Sequence, residues 1–365
     1  MTTQPWMWAA FSAVVLALLA LDLGVFNRRA HVPSTREALA WSAAWVSLAS
    51  LFGLGVGRVL GGEPALAFAA AYLVELALSV DNLFVFLVLF SYFRVPEAQR
   101  HRVLFWGILG ALVMRAAMIF AGAALLTRFE WLLYVFGAFL LFTAVRMAFG
   151  GGDHVDPSHN PVLRLVRRLL PVTHGYRGAH FFVREPVAPG EAPRLSATPL
   201  FVVLALVETT DLVFAVDSIP AVFGVTRDPF IVYTSNVFAI LGLRSLFFVL
   251  SGVMERFHLL RFGLAGVLAF VGMKMLAGHW IHVPTAVSLG VIALLLGASA
   301  VASLMIAPRP GSSPEAVAAG AGTSELVTLE GEPPPTGDDV TAPAEERPTE
   351  ERPVGPAVSA APRPR

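Results

Sequence analysis

An apolar stretch with four polar side chains near its centre, Tyr72-Leu-Val-Glu-Leu-Ala-Leu-Ser-Val-Asp-Asn-Leu-Phe-Val-Phe86, governs the organisation of this chain. The polar members are Glu75, Ser79, Asp81 and Asn82. A carboxylate inside hydrocarbon costs free energy, so an acid within a membrane segment usually faces a bundle interior and serves a function. The stretch therefore predicts a membrane-spanning helix with a functional inner face.

The chain contains a second version of this stretch, Val207-Glu-Thr-Thr-Asp-Leu-Val-Phe-Ala-Val-Asp-Ser-Ile-Pro-Ala-Val-Phe223. The segment from Glu75 to Asp81 aligns with the segment from Asp211 to Asp217 without a gap. Basic residues that follow each copy match in order: Arg115 with Arg244 within one residue, Arg128 with Arg256, and Arg146 with Lys274. Matched charges inside apolar runs favour a functional duplication over a plain structural one.

Composition places the chain among polytopic membrane proteins. Hydrophobic residues make up 56% and charged residues only 14%, whereas soluble domains carry about 25% charged residues. The formal net charge is zero, which gives no pull toward nucleic acid. The chain has no cysteine, which excludes disulfides, thiolate metal sites and cysteine nucleophiles. The first residues carry no basic side chain, so we expect the first apolar run to be retained as a span and not cleaved as a signal peptide.

Hydropathy predicts an all-α membrane protein of about nine transmembrane helices. The expected spans are residues 6–26, 38–60, 65–93, 102–126, 130–149, 198–223, 229–251, 258–278 and 284–306. Arginines cluster in alternate loops, which places the N-terminus outside and the C-terminus in the cytoplasm. Each copy of the repeat has three spans, so the second copy enters the membrane from the opposite side. Such inverted repeats are typical of secondary transporters with a substrate site near the midplane.

The predicted domain organisation has two parts. Residues 1–307 form the transmembrane domain, with repeat one at about 65–149, a polar cytoplasmic loop at 150–197 and repeat two at about 198–278. The loop has four histidines, His154, His159, His174 and His180, whose spacing fits no compact metal motif. Residues 308–365 are rich in Pro, Ala, Glu, Gly and Thr, which predicts a disordered cytoplasmic tail.

The charges within the predicted spans favour a cation site. Five acids face two basic residues, which leaves a surplus of three negative charges if all ionise: Glu75, Asp81, Glu208, Asp211 and Asp217 against Arg115 and Arg244. Such a surplus invites a metal ion or protonation. Oxygen ligands without thiolates suit ions such as Mg²⁺, Ca²⁺ and Mn²⁺, and nearby amides and hydroxyls would add neutral ligands.

Helix geometry limits how these acids can cooperate. Six residues advance about 9 Å and turn about 240°, so Glu75 and Asp81 do not easily grip one ion alone. Because the copies run antiparallel, we expect Glu75 at the depth of Asp217, and Asp81 beside Asp211. We also expect Arg115 and Arg244 each to pair with an acid of a motif helix as countercharge. A structural salt bridge to these arginines is the alternative role for each acid.

Several stretches together resemble the TerC/Alx family of integral membrane proteins. They are Glu75-Leu-Ala-Leu-Ser-Val-Asp-Asn82, Leu89-Phe-Ser-Tyr-Phe93, Phe136-Gly-Ala-Phe-Leu-Leu-Phe-Thr143, His180-Phe-Phe-Val-Arg184, Phe214-Ala-Val-Asp-Ser-Ile-Pro220, Thr234-Ser-Asn-Val-Phe-Ala-Ile-Leu-Gly-Leu-Arg244 and Ala286-Val-Ser-Leu-Gly290. The resemblance covers residues 6–306, leaves out the tail, and implies Mn²⁺ efflux and a relation to the LysE-type transporter superfamily. It also implies a metal site made from the acidic motifs, which is carried here to Glu75, Asp81, Asn82, Glu208, Asp211 and Asp217.

The expected function is a secondary transporter that exports a divalent metal, Mn²⁺ by the resemblance, from a bacterial cytoplasm through the inner membrane. Its expected partners are the metal, the lipid bilayer and protons as counter-ion, with no enzyme activity, no permanently bound cofactor and no nucleic acid. The residues alone do not rank Mn²⁺ above Ca²⁺. The alternative is a membrane scaffold that recruits partners through its loop and tail, with the acids only structural. An intramembrane hydrolase is a weaker alternative, because no catalytic loop is recognisable.

Overall fold

Ten helices and one β-hairpin make up the part of the chain that the computed structural model describes, namely residues 4–21, 34–150, 161–173, 175–185, 193–251 and 259–306. The helices are α1 Pro5–Leu21, α2 Thr35–Val59, α3 Gly62–Tyr92, α4 Glu97–Arg128, α5 Leu132–Phe149, α6 Pro161–Leu169, α7 Pro199–Val225, α8 Pro229–Ser251, α9 Leu260–Ala277 and α10 Thr285–Met305. The strands are β1 Phe182–Glu185 and β2 Arg194–Ala197.

A helix lies at each of the nine predicted spans, with ends that differ by a few residues. Within the described ranges, seven helices are long and apolar enough to cross a membrane: α2, α3, α4, α5, α7, α9 and α10. The other two, α1 and α8, contain the shorter apolar stretches Pro5–Leu18 and Pro229–Leu243. The protein is thus mostly helical with several membrane helices, and the count of nine crossings stays a prediction.

Local chemistry explains where the helices begin. The Ser34 hydroxyl accepts a hydrogen bond from the Glu37 amide at 3.3 Å, which satisfies one free N–H at the start of α2. Gly61 precedes α3 with φ of 104°, a conformation that a side chain disfavours. Pro199 opens α7, where its missing N–H costs no helical hydrogen bond. Each of these signals fixes the residue at which a helix begins.

The two predicted repeat units pack in a reciprocal manner. Helix α3 packs on α8 as α4 packs on α7, and the remaining principal contacts join α5 to α9, α3 to α7 and α4 to α8. If α3, α4 and α5 are replaced in this list by α7, α8 and α9, and the reverse, the same pairs of helices result. At the α5–α9 crossing, a Cβ on Gly137 would lie 3.1 Å from the Gly272 carbonyl oxygen, so the two helices approach closely.

Helices α3 and α7 run antiparallel. Residues near the start of α3, Glu63 and Ala67, line the same cavity of about 500 Å³ as Phe223 and Val225 at the end of α7. Two further helices complete the bundle around the repeat units. Helix α2 packs on α3 and α8, and α10 packs on α3 and α9. Helix α3 therefore lies in the centre of the described bundle, and α7 packs against it.

The segment predicted as a polar loop contains a short helix and a small β-hairpin, so the described part of the chain is mostly helical and not entirely so. Strands β1 and β2 pair antiparallel with Phe182 opposite Ala197 and Glu185 opposite Arg194. The Phe182 ring packs against Phe201 of α7 with centroids 4.5 Å apart, so tertiary contact stabilises a short hairpin that propensity alone does not predict.

The loop is also hydrogen-bonded to the end of α3 and to the start of α7. The Tyr176 hydroxyl donates to the Phe93 carbonyl at 2.7 Å, and burial raises the pKa of Tyr176. The Thr198 hydroxyl donates to the His180 carbonyl at 2.7 Å. His154, His159, His174 and the predicted tail 308–365 lie outside the described residues, so those predictions stay as they are.

Candidate ion-binding site

A buried arginine joins the two motif helices. Arg115 of α4 donates from Nη1 to Glu75 Oε2 of α3 at 2.6 Å. It also donates to both carboxylate oxygens of Asp211 on α7, from Nη2 at 3.0 Å and from Nε at 3.3 Å. A weaker contact of 3.4 Å runs from Nη1 to Ser218 Oγ. We call Glu75, Arg115 and Asp211 the Arg115 cluster.

The cluster is sealed from solvent, with exposed fractions of 0% for Glu75, 1% for Arg115 and 4% for Asp211. The planar guanidinium suits the two-pronged contact with Asp211. One positive charge faces two negative ones, so the cluster keeps a single net negative charge when all three ionise. The expectation that Arg115 pairs with a motif acid is confirmed. Glu75 and Asp211 make the salt bridges of the alternative structural role, and their role as metal ligands stays a prediction.

The arrangement corrects one expected pairing. We expected Asp81 beside Asp211, but Arg115 brings Asp211 to Glu75, and Asp81 lies within electrostatic range of Asp217 and Arg261. The reason is the length of the arginine side chain, which spans two heights along α7. Glu75 nevertheless shares Arg115 Nη1 with Ser218, the neighbour of Asp217, which agrees with the expected depth of Glu75.

Asp81 and Asp217 form a second pair of acids with a different environment. Both are half-buried, and among the described residues Arg115 donates to neither. Asp217 Oδ1 accepts a hydrogen bond from Thr143 Oγ1 of α5 at 3.3 Å, and Arg146 lies within its electrostatic range. These two carboxylates, one from each motif helix, keep oxygens that a cation would use. We call Asp81 and Asp217 the open pair.

Glu208 lies on α7 one turn before Asp211 and within its electrostatic range. Its carboxylate rests directly against Gly110 of α4, where a Cβ would overlap it. Thr209 and Thr210 donate their hydroxyls to the backbone carbonyls of Ala205 and Leu206 at 2.7 Å, so only their lone pairs remain for a ligand. The acids of α7 therefore occur at successive heights, over about 13 Å from residue 208 to residue 217.

One face of α3 carries buried polar atoms that find no hydrogen-bond partner among the described residues: Glu75 Oε1, Ser79 Oγ and Asn82 Nδ2. Spacings of four and three residues place these side chains on one side of the helix. Asn236 of α8, which packs on α3, has an unpartnered Nδ2 as well. Each such atom costs about 1–3 kcal/mol when left unsatisfied, so this polar face marks a place where water or an ion would be stabilising.

The six predicted metal residues do not converge on one point. Within the described residues, no group of three or more His, Asp or Glu side chains is positioned to hold a metal ion. The acids divide instead into the Arg115 cluster, the open pair and Glu208. The Arg244 side chain lies outside the described residues, so its expected role as countercharge stays a prediction.

Three residues of the site were not predicted from the sequence: Thr143, Arg146 and Arg261. Thr143 ends one of the stretches that carry the family resemblance, which was the available signal. From the sequence, Arg146 was only one of the matched basic residues of the repeat, and no part in the site was predicted for Arg261. Their nearness to the open pair depends on helix packing, which the sequence pattern does not give.

Comparisons with known proteins agree with this architecture. Residues 60–310 match the model of the TerC integral membrane protein family. The chain is 56% identical over 302 residues to the uncharacterized membrane protein STKORF319 of Myxococcus xanthus, covering 83% of this chain and 93% of that protein. It is 50% identical over 297 residues to an Escherichia coli K12 protein named Alx (membrane-bound redox modulator), covering 79% of this chain and 91% of that protein.

A more distant relative is an uncharacterized membrane protein of Rickettsia bellii, 39% identical over 289 residues, with 79% of this chain and 94% of that protein covered. No solved structure matches the chain significantly. None of these relatives carries the name of an enzyme. The family match spans both motif helices and every acid of the site, and the chain belongs to the TerC family of integral membrane proteins.

Proposed function

We propose that this protein is a secondary transporter that exports a divalent metal ion, Mn²⁺ by its family resemblance, from the cytoplasm. The observation that carries the proposal is the open pair, in which two antiparallel motif helices each contribute a half-buried aspartate. Acids within membrane helices are rare and typically mark ion pathways. A buried salt bridge already accounts for Glu75 and Asp211, whereas it leaves Asp81 and Asp217 available.

The chemistry of the open pair suits a hard or borderline cation. Two carboxylates neutralise a divalent ion, and the remaining ligands of Mn²⁺ or Mg²⁺ would come from neutral oxygens and retained water. Candidates for these neutral oxygens are on the helices of the open pair and on α5. They are the side chains of Thr143 and Asn82 and the other polar groups on the polar face of α3. The absence of cysteine from the sequence leaves an all-oxygen or oxygen–nitrogen ligand set.

In this proposal the Arg115 cluster is a structural salt bridge that stays in place while the open pair binds and releases the ion. Arg115 holds α3, α4 and α7 together while contributing one positive charge close to the pathway. A transporter that has released its ion would otherwise leave several negative charges in a low dielectric. Arg115 limits that cost permanently, and a proton on the open pair would limit it in the empty state, which provides a route to metal–proton exchange.

We further propose that α3–α5 and α7–α9 form an inverted repeat. The matched positions in the sequence and the reciprocal packing of α3 on α8 and α4 on α7 support this. Rocking of one unit against the other would then alternate access to a fixed site between them. The basic residues of the 150–197 segment support a cytoplasmic location for it, with the N-terminus outside.

Purified protein in sealed vesicles tests the proposal. External Mn²⁺, Ca²⁺ and Mg²⁺ are supplied in turn, with a metal-sensitive dye and a pH dye inside. We expect metal entry with opposite proton movement, which Asp217→Asn abolishes. If no metal enters at any pH, the scaffold function is supported instead, because a scaffold needs no permeation.

The orientation in the membrane is tested separately. Because the chain has no cysteine, single cysteines can be introduced at Gly62 and at Ala179, and their accessibility is measured in intact cells.

The name of the E. coli relative describes a redox modulator. In this chain such a role would not run through thiol–disulfide exchange, because the sequence has no cysteine. Control of a redox-active metal such as manganese is compatible with that name. The vesicle experiment tests the metal movement on which such a redox effect would depend.

A further inference from the structure

The short helix α6 presents three distinct faces. At about 100° per residue, Leu163 and Val166 point toward the protein, where Leu163 is 4% exposed and Val166 packs against the core. Leu165 and Leu169 occupy another face and are 54% and 69% exposed. Nothing in the described part of the chain covers these two leucines, so this face of α6 is suited to an apolar environment.

The third face is basic. Arg164 and Arg168 lie one turn apart and are both exposed. The described residues give neither arginine an acidic partner, in contrast to Arg177, whose Nε donates to Glu185 Oε1 at 2.7 Å. The positive-inside rule accounts for arginines in a loop, but it does not account for an exposed apolar face beside them. The combination on α6 therefore needs a further explanation.

Hydrogen bonds hold the end of α6 close to the start of α7. The chain leaves α6 through Pro171, whose carbonyl accepts from the Ala197 amide at 2.8 Å, and the Thr173 amide donates to the Ala197 carbonyl at 2.9 Å. Ala197 lies two residues before Pro199, where the apolar helix α7 begins. Helix α6 also packs on α7. These contacts place α6 beside the point where α7 enters the bilayer.

We propose that α6 is a lipid-binding element that lies in the membrane surface and binds the phosphate groups of anionic phospholipids through Arg164 and Arg168. Leu165 and Leu169 would enter the upper acyl region, where apolar burial is favourable. The two guanidinium groups would then lie at headgroup height, where they make charge-assisted hydrogen bonds to phosphate. This inference does not depend on metal transport.

The cysteine-free sequence makes the test direct. Leu165→Cys is labelled with a nitroxide in the full-length protein, and its accessibility to oxygen and to a water-soluble relaxation agent is measured. The vesicles contain phosphatidylcholine alone or a mixture with phosphatidylglycerol. We expect the label to move into the apolar phase in the mixture. Leu195→Cys, on the exposed part of β2, is the matched label position that should not respond.

Arg164→Gln with Arg168→Gln should weaken the preference for the anionic mixture on the order of 30-fold, because each basic residue near the surface contributes roughly fivefold. Glutamine keeps the helix propensity. Arg184→Gln, at an exposed arginine of β1, is the control and should leave the response unchanged.

Three results would overturn the proposal. One is a label at position 165 that stays in water in both vesicle types. Another is an equal loss of response in Arg184→Gln, which would indicate a general charge effect. The third is the same movement when glycerol phosphate is added to phosphatidylcholine vesicles, which would assign the site to a soluble anion.

Discussion

The acids of the Arg115 cluster and those of the open pair are carboxylates on the same two helices, six residues apart, yet their environments differ. Glu75 and Asp211 are sealed and share one guanidinium, with a nitrogen–oxygen distance as short as 2.6 Å. Asp81 and Asp217 are half-buried, and the hydrogen bond described for Asp217 comes from the neutral hydroxyl of Thr143. The difference teaches that each copy of the acidic motif contains two kinds of position. One acid is held in a buried salt bridge, and the other is available to bind an ion.

The first prediction removes the structural position and has the largest expected effect. Arg115→Ala should lower the free energy of unfolding by about 3–5 kcal/mol, because it leaves Glu75 and Asp211 buried without a countercharge. Arg115→Lys should recover only part of this, since lysine lacks the planar fork that contacts Asp211. Thermal unfolding in detergent measures both. Arg177→Ala, at an exposed ion pair, is the control, and a wild-type melting temperature in Arg115→Ala would refute the structural role.

The second prediction removes the available position. Asp81→Asn and Asp217→Asn should each abolish metal flux into vesicles, because each removes a charged ligand that we assign to the ion. Melting temperature should stay near that of the wild type, since neither aspartate is sealed. Flux and melting are measured on the same preparation. Full flux in both variants would show that the comparison assigns the wrong acids to transport.

The third prediction concerns the polar face of α3. Asn82→Leu should raise the free energy of unfolding by about 1–3 kcal/mol, because it removes a buried amide nitrogen that has no partner. The same change should reduce metal flux if that amide serves the pathway. Thermal unfolding and vesicle flux are compared. A destabilised Asn82→Leu protein would mean that the amide is satisfied in the membrane and belongs with the structural position.

The fourth prediction refines the open pair. Thr143→Val keeps the shape of the side chain but removes the hydrogen bond to Asp217. Such a hydrogen bond contributes about 0.5–1.5 kcal/mol. We therefore expect the apparent metal affinity to change several-fold. Affinity is taken from the concentration dependence of vesicle flux. Thr127→Val, whose hydroxyl bonds only to the Ala124 carbonyl of its own helix, is the matched control. Equal effects of the two variants would remove Thr143 from the site.

The fifth prediction uses the exposed ion pair as a contrast to the Arg115 cluster. The hydrogen bond from Arg177 holds the pKa of Glu185 below its ordinary value. A lowered folded-state pKa adds stability above the unfolded pKa of about 4.3, and that stability is lost as the pH falls through the folded pKa. Amide-exchange protection of the hairpin should therefore decrease locally below about pH 4. Glu185→Gln should remove the pH dependence, while global unfolding stays unchanged.

The hydropathy of the sequence was sufficient to predict the long helices, but not to predict the short elements that pack against them. The apolar runs predicted a helix at every span, because a chain in hydrocarbon must satisfy its backbone hydrogen bonds within each segment. The α6 helix and the β1–β2 hairpin were missed, because contacts such as Phe182 with Phe201 stabilise them from outside their own sequence. Arg115 was identified as a countercharge from its depth in an apolar run.

The sequence by itself determined the membrane class, the repeated acidic motif and the residue types that face the bundle interior, because hydrophobicity and charge are local properties with a fixed cost in lipid. Only the tertiary structure decided which acids share Arg115. A long guanidinium side chain on α4 reaches Glu75 and Asp211 at once, and that choice depends on how three helices pack. The same packing leaves Asp81 and Asp217 outside the salt bridge, with Thr143 of a further helix as the partner of Asp217.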